Sequence, residues 1–193
     1  MSQPDKMAVI SEMVAPLAAS LGLVVWGIEI VGTGRPVARI YVDISPAAQD
    51  ENTGGVTVDQ CAELSRLAGL ALDVEDPFPD NWTLEVSSPG LERPFFSLEQ
   101  LHKYIGQEIE LSLVTALADW PGRKHFSGFL ASVEDADFVL NLPLSQRLAT
   151  QPDHVSIPWE QVRRANLVHH FNQPQKPGKN KESIESNASG GVA

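Results

Sequence analysis

Leu84-Glu85-Val86-Ser87-Ser88-Pro89-Gly90-Leu91-Glu92-Arg93-Pro94 lies near the middle of the 193-residue chain and divides it into halves of different pattern. Leu84 and Val86 share one face of a strand and Glu85 and Ser87 the other, the period-two signature of a half-buried strand. Pro89 presets φ at about −65° and Gly90 accepts a positive φ, the pair that a type II turn requires. Pro94 disfavours helix at Arg93 and leaves that residue extended. Ser87, Ser88, Pro89, Gly90, Leu91 and Arg93 are therefore read as a rigid elbow. Ser87 and Ser88 are expected to satisfy backbone groups at the turn, Leu91 to plug the interface between the halves, and Arg93 to bridge them.

Upstream, the pattern is that of an α/β unit. Met7, Ile10, Val14, Leu17 and Leu21 recur at helical spacing, Gly22 is a suitable stop, and Pro16 predicts a kink or restart. Val24, Trp26, Ile28 and Ile30 share one face of a strand, and Ala38, Ile40, Val42 and Ile44 one face of a second, joined as a hairpin through 32–36. Thr57 and Gln60 have capping-box spacing and open a second helix, whose buried face is Cys61, Leu64, Leu67 or Ala68, and Ala71 or Leu72. Cys61 is read as a packed thiol, since no cation flanks it to stabilise a thiolate. The strand ending at Ser87 completes two helices on one side of a three-stranded sheet.

Downstream, long helical periodicity disappears. Period-two runs at 109–113, 126–130, 138–142, 154–159 and 165–168 predict five short strands and a small closed barrel. Gly128 marks an expected bend or bulge, and Leu98, Leu101 and Tyr104 one helical turn at the barrel entrance. From Asn172 the chain is Gln, Pro, Lys, Gly, Ser and Asn with hardly an apolar residue, a disorder-type composition. The expected organisation is a two-helix, three-stranded α/β domain over 1–93, a β-barrel over 94–171 and a disordered tail over 172–193, an α+β chain overall.

Composition narrows the chemistry. Cys61 is the only cysteine, so neither an intramolecular disulfide nor a cysteine metal cluster is available. Residues 1–20 lack the apolar block of a signal peptide, and the longest apolar stretch is too short to span a bilayer. A cytoplasmic protein without membrane association is expected. Net charge is −11, and residues 1–93 hold 14 acidic against 5 basic side chains. Such a chain is a poor stand-alone ligand for phosphates but attracts a basic protein.

The central stretch resembles the signature of the bacterial ribosome maturation factor RimP family. Ile40-Tyr41-Val42-Asp43 resembles that family's second strand, and Thr57-Val58-Asp59-Gln60-Cys61-Ala62-Glu63-Leu64-Ser65 with Leu72-Asp73-Val74-Glu75-Asp76-Pro77 its second helix and exit loop. Gly122-Arg123-Lys124-His125-Phe126-Ser127-Gly128-Phe129-Leu130 and Ala165-Asn166-Leu167-Val168 resemble strands of its C-terminal barrel. The likeness spans residues 7–171. It implies an N-terminal α/β domain, a C-terminal SH3-like or Sm-like barrel, and binding to the small (30S) ribosomal subunit during assembly. It further implies help in placing the basic ribosomal protein uS-twelve, with 16S rRNA and that protein as partners, no cofactor and no catalytic residue. A monomer is expected. The alternative is a general Sm-like RNA-binding module without an assembly role.

Several residues take two readings. Asp73, Glu75, Asp76 and Asp80 cluster beyond the second helix; a solvated acidic loop is the plain reading, contact with the basic partner the sharper one, and no metal is expected. Arg123 and Lys124 beside Phe126, and Arg163 and Arg164 near Trp159, pair cations with aromatics, a combination that holds rRNA phosphates and stacks bases; Phe126 is also read as core. His169-His170 is read as surface, because adjacent strand residues face opposite sides. A serine nucleophile at Ser87 or Ser88 fails for want of a base, since no histidine precedes His102. No enzymatic activity is expected.

Overall fold

Hydrophobic spacing and capping in the first half give two helices over a small sheet. The computed structural model describes residues 3–32, 34–49, 54–75, 81–146 and 152–170, so Asp76, Asp80 and the expected tail lie outside the described residues. Helix α1 (Gln3–Ser20) buries Ile10, Val14 and Ala18 completely, one residue per turn. It runs through Pro16 as one helix rather than restarting, with the proline on the exposed side; packing of the opposite stripe outweighs the lost backbone donor. Gly22, at φ +72°, ends it. Thr57 N donates to Gln60 Oε1 at 3.0 Å and Gln60 N to Thr57 Oγ1 at 3.2 Å, the two halves of the capping box that opens α2 (Val58–Glu75). Of the alternatives on its inner face, Ala68 and Leu72 are buried with Leu64.

Strands β1 (Leu23–Val31) and β2 (Val37–Ile44) are antiparallel, and β3 (Thr83–Ser87) runs parallel to β2 with Ala38 opposite Leu84 and Ile40 opposite Val86. Ala38, Ile40 and Val42 share one core with both helices. The expected phase of β1 holds only in part. A register shift between Val25 and Gly27 inserts Trp26 as an extra residue. Val25, Ile28 and Ile30 therefore pack against the helices, Val24 is left 41% exposed, and Trp26 turns to the other sheet.

The second half forms one antiparallel sheet of six strands rather than five, in the order β4-β9-β5-β6-β7-β8. These are β4 (Pro94–Phe95), β5 (Glu108–Leu113), β6 (His125–Val133), β7 (Asp137–Asn141), β8 (His154–Pro158) and β9 (Val162–Leu167). The additional strand, β4, is two residues long and pairs Pro94 with Asn166 and Phe95 with Ala165, so no local periodicity could announce it. Helix α3 (Leu98–Leu101) and a following 3-10 turn, His102–Tyr104, precede β5. β4 and β8 stand at the two ends of the hydrogen-bonded order among the described residues. The strands and α3 enclose a core that includes Phe95, Leu101, Ile109, Phe126, Phe138 and Ile157.

Gly128 is not a bulge. It pairs regularly with Ile109, and the shift lies further along, between Leu130 and Ser132. A Cβ at Gly128 would sit 2.5 Å from the carbonyl oxygen of Asn141, so glycine serves the close approach of β7. The last strand starts at Val162 and therefore contains Arg163 and Arg164, while Trp159 falls in a 3-10 turn rather than in β8. Among the described residues no helix is long and apolar enough to cross a membrane.

Candidate functional site

The bulge at Trp26 builds the joint between the two sheets. Its ring packs on the core of the six-stranded sheet, 6.4 Å from Phe95 and 6.5 Å from Tyr104 between centroids. Trp26 Nε1 donates to the Pro94 carbonyl at 2.7 Å, and the Trp26 carbonyl accepts from Gln100 Nε2 at 2.6 Å. Gln100 Oε1 in turn accepts from Phe96 N at 2.7 Å. The next residue, Gly27, makes room for Phe96: a Cβ there would fall 1.9 Å from that ring. Phe96 rests on Tyr41 with ring centroids 5.6 Å apart.

Arg93 closes the joint. Its Nη1 donates to Asp43 Oδ2 and to Tyr104 Oη, each at 2.8 Å, with the guanidinium carbon 5.0 Å from the Trp26 ring. The rest of the elbow has other positions. Pro89 is buried and Gly90 takes φ +72°. Ser87 is half-buried and Ser88 exposed; the Ser88 backbone beside the Cys61 thiol favours its thiolate. Burial is the larger influence on that thiol and pushes its pKa up, the opposite of what a nucleophile needs. Leu91 does not plug an interface: it is 58% exposed, because the turn at 91–92 carries it outward while Trp26 and Phe96 fill the space between the sheets. Trp26, Gly27 and Gln100 were not legible as site residues, since their partners lie about 70 positions away in sequence.

Beside the joint, the exposed face of the first sheet carries a polar strip. Arg39 donates from Nε to Glu85 Oε2 at 2.7 Å and from Nη1 to Glu29 Oε1 at 2.9 Å, and Tyr41 Oη donates to Glu29 Oε1 at 2.9 Å. Glu85 first, then Tyr41 and Glu29, hold the guanidinium charged, while burial and the Glu29 bond push the Tyr41 phenol up.

The basic pairs separate in the second sheet. Arg123 is spent internally: it donates to the carbonyls of His125 at 3.0 Å and Gln146 at 2.7 Å, and to Gln146 Oε1 at 2.7 Å. It also stacks 5.3 Å from Trp120 and 4.4 Å from Phe126, and burial lowers its pKa. Phe126 is core, 2% exposed. Lys124 Nζ donates to the Val114 carbonyl at 3.0 Å. Arg163 and Arg164, by contrast, are exposed and line an open groove of about 620 Å³ across β9, β5 and β6. Strand pairing sets two rows on its floor, Asn166–Glu110–Ser127 and Arg164–Ser112–His125. Arg164 Nε donates to Asn166 Oδ1 at 3.1 Å, and Asn166 Nδ2 to the Glu92 carbonyl at 3.1 Å, tying the groove to the elbow.

Asp73 and Glu75 are exposed at the end of α2. No group of residues suited to a metal ion occurs among the described residues. His170 Nε2 lies 2.6 Å from Glu108 Oε2 on the outer face of β5.

The description "RimP N-terminal domain" fits a sequence family that matches residues 13–92. The chain is 48% identical over 174 residues to the ribosome maturation factor RimP of Lawsonia intracellularis, covering 86% of this chain and 89% of that protein. It is 46% identical over 167 residues to the protein of the same description from Nitratidesulfovibrio vulgaris strain DP4, covering 86% of this chain and 92% of the relative. A Desulfovibrio desulfuricans protein so described is 35% identical over 212 residues, with 88% and 82% covered.

Proposed function

The chain belongs to the ribosome maturation factor RimP family, and we propose that it is a non-enzymatic assembly factor for the small (30S) ribosomal subunit. It binds pre-30S particles in the cytoplasm as a monomer, through 16S rRNA, and helps place the basic protein uS-twelve. The observation that carries this reading is the likeness to ribosome maturation factors across both halves of the chain. In this reading residues 1–93 and 94–171 are two domains, the six-stranded sheet serving as the SH3-like barrel, with a tail over 172–193.

The division of labour follows from charge. The barrel offers Arg163 and Arg164, whose guanidinium groups suit phosphate oxygens. The N-terminal domain, with 14 acidic and 5 basic side chains, suits a basic protein, and Asp73, Glu75, Asp76 and Asp80 are its candidate contacts. The joint at Arg93 holds the two surfaces in fixed geometry, so that one molecule reads protein and RNA together.

Sedimentation of the purified chain with free small subunits, and separately with assembled ribosomes, at two salt concentrations tests the proposal. Co-migration with free subunits alone, weakening with salt, is the expected result. Equal binding to both, or binding to neither while naked RNA binds well, would favour the general RNA-binding module.

A further inference from the structure

The groove on β9, β5 and β6 is not built as a plain phosphate track. Arg163 and Arg164 stand on β9, yet two carboxylates also line the groove, Glu92 at the elbow and Glu110 on the middle strand, where it lies across from Asn166 and Ser127. Among the described residues Glu110 makes no ion pair or hydrogen bond through its side chain. A carboxylate beside a phosphate site weakens anion binding unless the ligand brings donors to it. We infer that this groove takes one unpaired guanine nucleotide of RNA, Glu110 accepting from the base and Arg164 donating to the phosphate. The inference rests on the reading of the chain as an rRNA-binding assembly factor, and it adds the base that is read.

Guanine alone among the four RNA bases offers two adjacent donors, N1–H and N2–H, on its Watson–Crick edge, matching the two oxygens of one carboxylate. Uracil offers one imide donor between two acceptors. Adenine and cytosine each set an acceptor beside the amino group, which a carboxylate repels. The rows Asn166–Glu110–Ser127 and Arg164–Ser112–His125 are two residues apart along the strands, about 7 Å. With the reach of an arginine, that separation accommodates a base on one row and its phosphate on the other. His125, exposed at the end of the second row, offers a ring for stacking. Asn166 holds the Arg164 side chain in place through the 3.1 Å bond to Nε, leaving the terminal nitrogens for phosphate. Bases in a duplex have this edge occupied, so the ligand is single-stranded.

Fluorescence anisotropy of the full chain with a uridine hexanucleotide, and with the same RNA carrying one central guanosine, tests the inference. The guanosine RNA is expected to bind about tenfold more tightly, a gain of the size that bidentate base contacts give. Inosine in its place, lacking the N2 amine, should lose most of that gain. Glu110→Gln should abolish the preference without weakening the uridine RNA; Glu110 is exposed, so its thermal midpoint should match the parent. Equal affinity for the two RNAs, no binding of either, or a preference that survives in Glu110→Gln overturns the inference. Co-sedimentation with free small subunits, run on the same preparation, separates the two failures. Retained co-sedimentation without a guanosine preference removes the guanine site alone, and loss of both removes the assembly-factor reading as well.

Discussion

At the joint, Arg93 has Asp43, Tyr104 and the face of Trp26 around it, while Trp26 and Gln100 exchange hydrogen bonds with the opposite sheet. In the groove, Arg163 makes no hydrogen bond or ion pair among the described residues, and Arg164 has only Asn166. Side chains of one type thus do opposite work. A guanidinium whose donors are already satisfied in the protein adds stability and orientation but has little to offer a ligand. One left facing solvent adds little stability and keeps its charge for a phosphate. Arg123 shows that proximity to a groove does not decide the matter. Its partners Gln146 and His125 line the groove, yet its donors go to Gln146 and the His125 carbonyl rather than to the open space.

The contrast can be broken most forcefully at Gly27. Gly27→Ala places a methyl into the Phe96 ring and should cost about 3 kcal/mol, with the two sheets displaced. Urea unfolding gives the first quantity and small-angle scattering the second; an unchanged scattering curve with parent stability would show that Phe96 is not an anchor. Arg123→Ala, which removes three hydrogen bonds and two ring contacts, should lower stability by about 2 kcal/mol. A variant of parent stability that lost subunit affinity would put Arg123 among the binding residues. Arg93→Ala should cost about 1–2 kcal/mol and loosen the joint more than it weakens either core. A change in unfolding without any change in scattering would contradict the orienting role.

Smaller still is the effect at Cys61, behind the elbow. Burial holds its thiol pKa above the unfolded value, so the neutral form is favoured by folding. The associated stability is fully present below the unfolded thiol pKa and is lost as pH rises through the folded value. Denaturation midpoints should therefore fall more steeply with alkaline pH in the parent than in Cys61→Ala. Parallel curves would remove the thiol from the account.

What could be read from the chain beforehand was local. Capping at Thr57 and Gln60, the stop at Gly22, and the alternation in β2 and β3 depend on neighbours a few positions apart, and each took the form its residues dictated. The same rule placed Trp26 on the wrong face, because a bulge of one residue resets the period; its one local mark is Gly27, a glycine inside the strand directly after it. β4 was illegible for the same reason: two residues acquire strand character only from Asn166 and Ala165. At the candidate site, Arg123, Lys124, Arg163 and Arg164 looked alike in sequence, as cations beside aromatics. Their separation depends on Gln146 and Val114, partners that the assembled sheet brings to Arg123 and Lys124 and that Arg163 and Arg164 lack.

The division between a structural and a binding arginine is tested most directly by measuring small-subunit affinity and thermal midpoint together for Arg163→Ala/Arg164→Ala and for Arg123→Ala. The double variant should keep the parent midpoint, lose affinity at least about tenfold and show a shallower salt dependence by about two phosphate contacts. Arg123→Ala should melt earlier yet bind like the parent below its transition. Parent affinity in the double variant, or lost affinity in folded Arg123→Ala, would contradict that division.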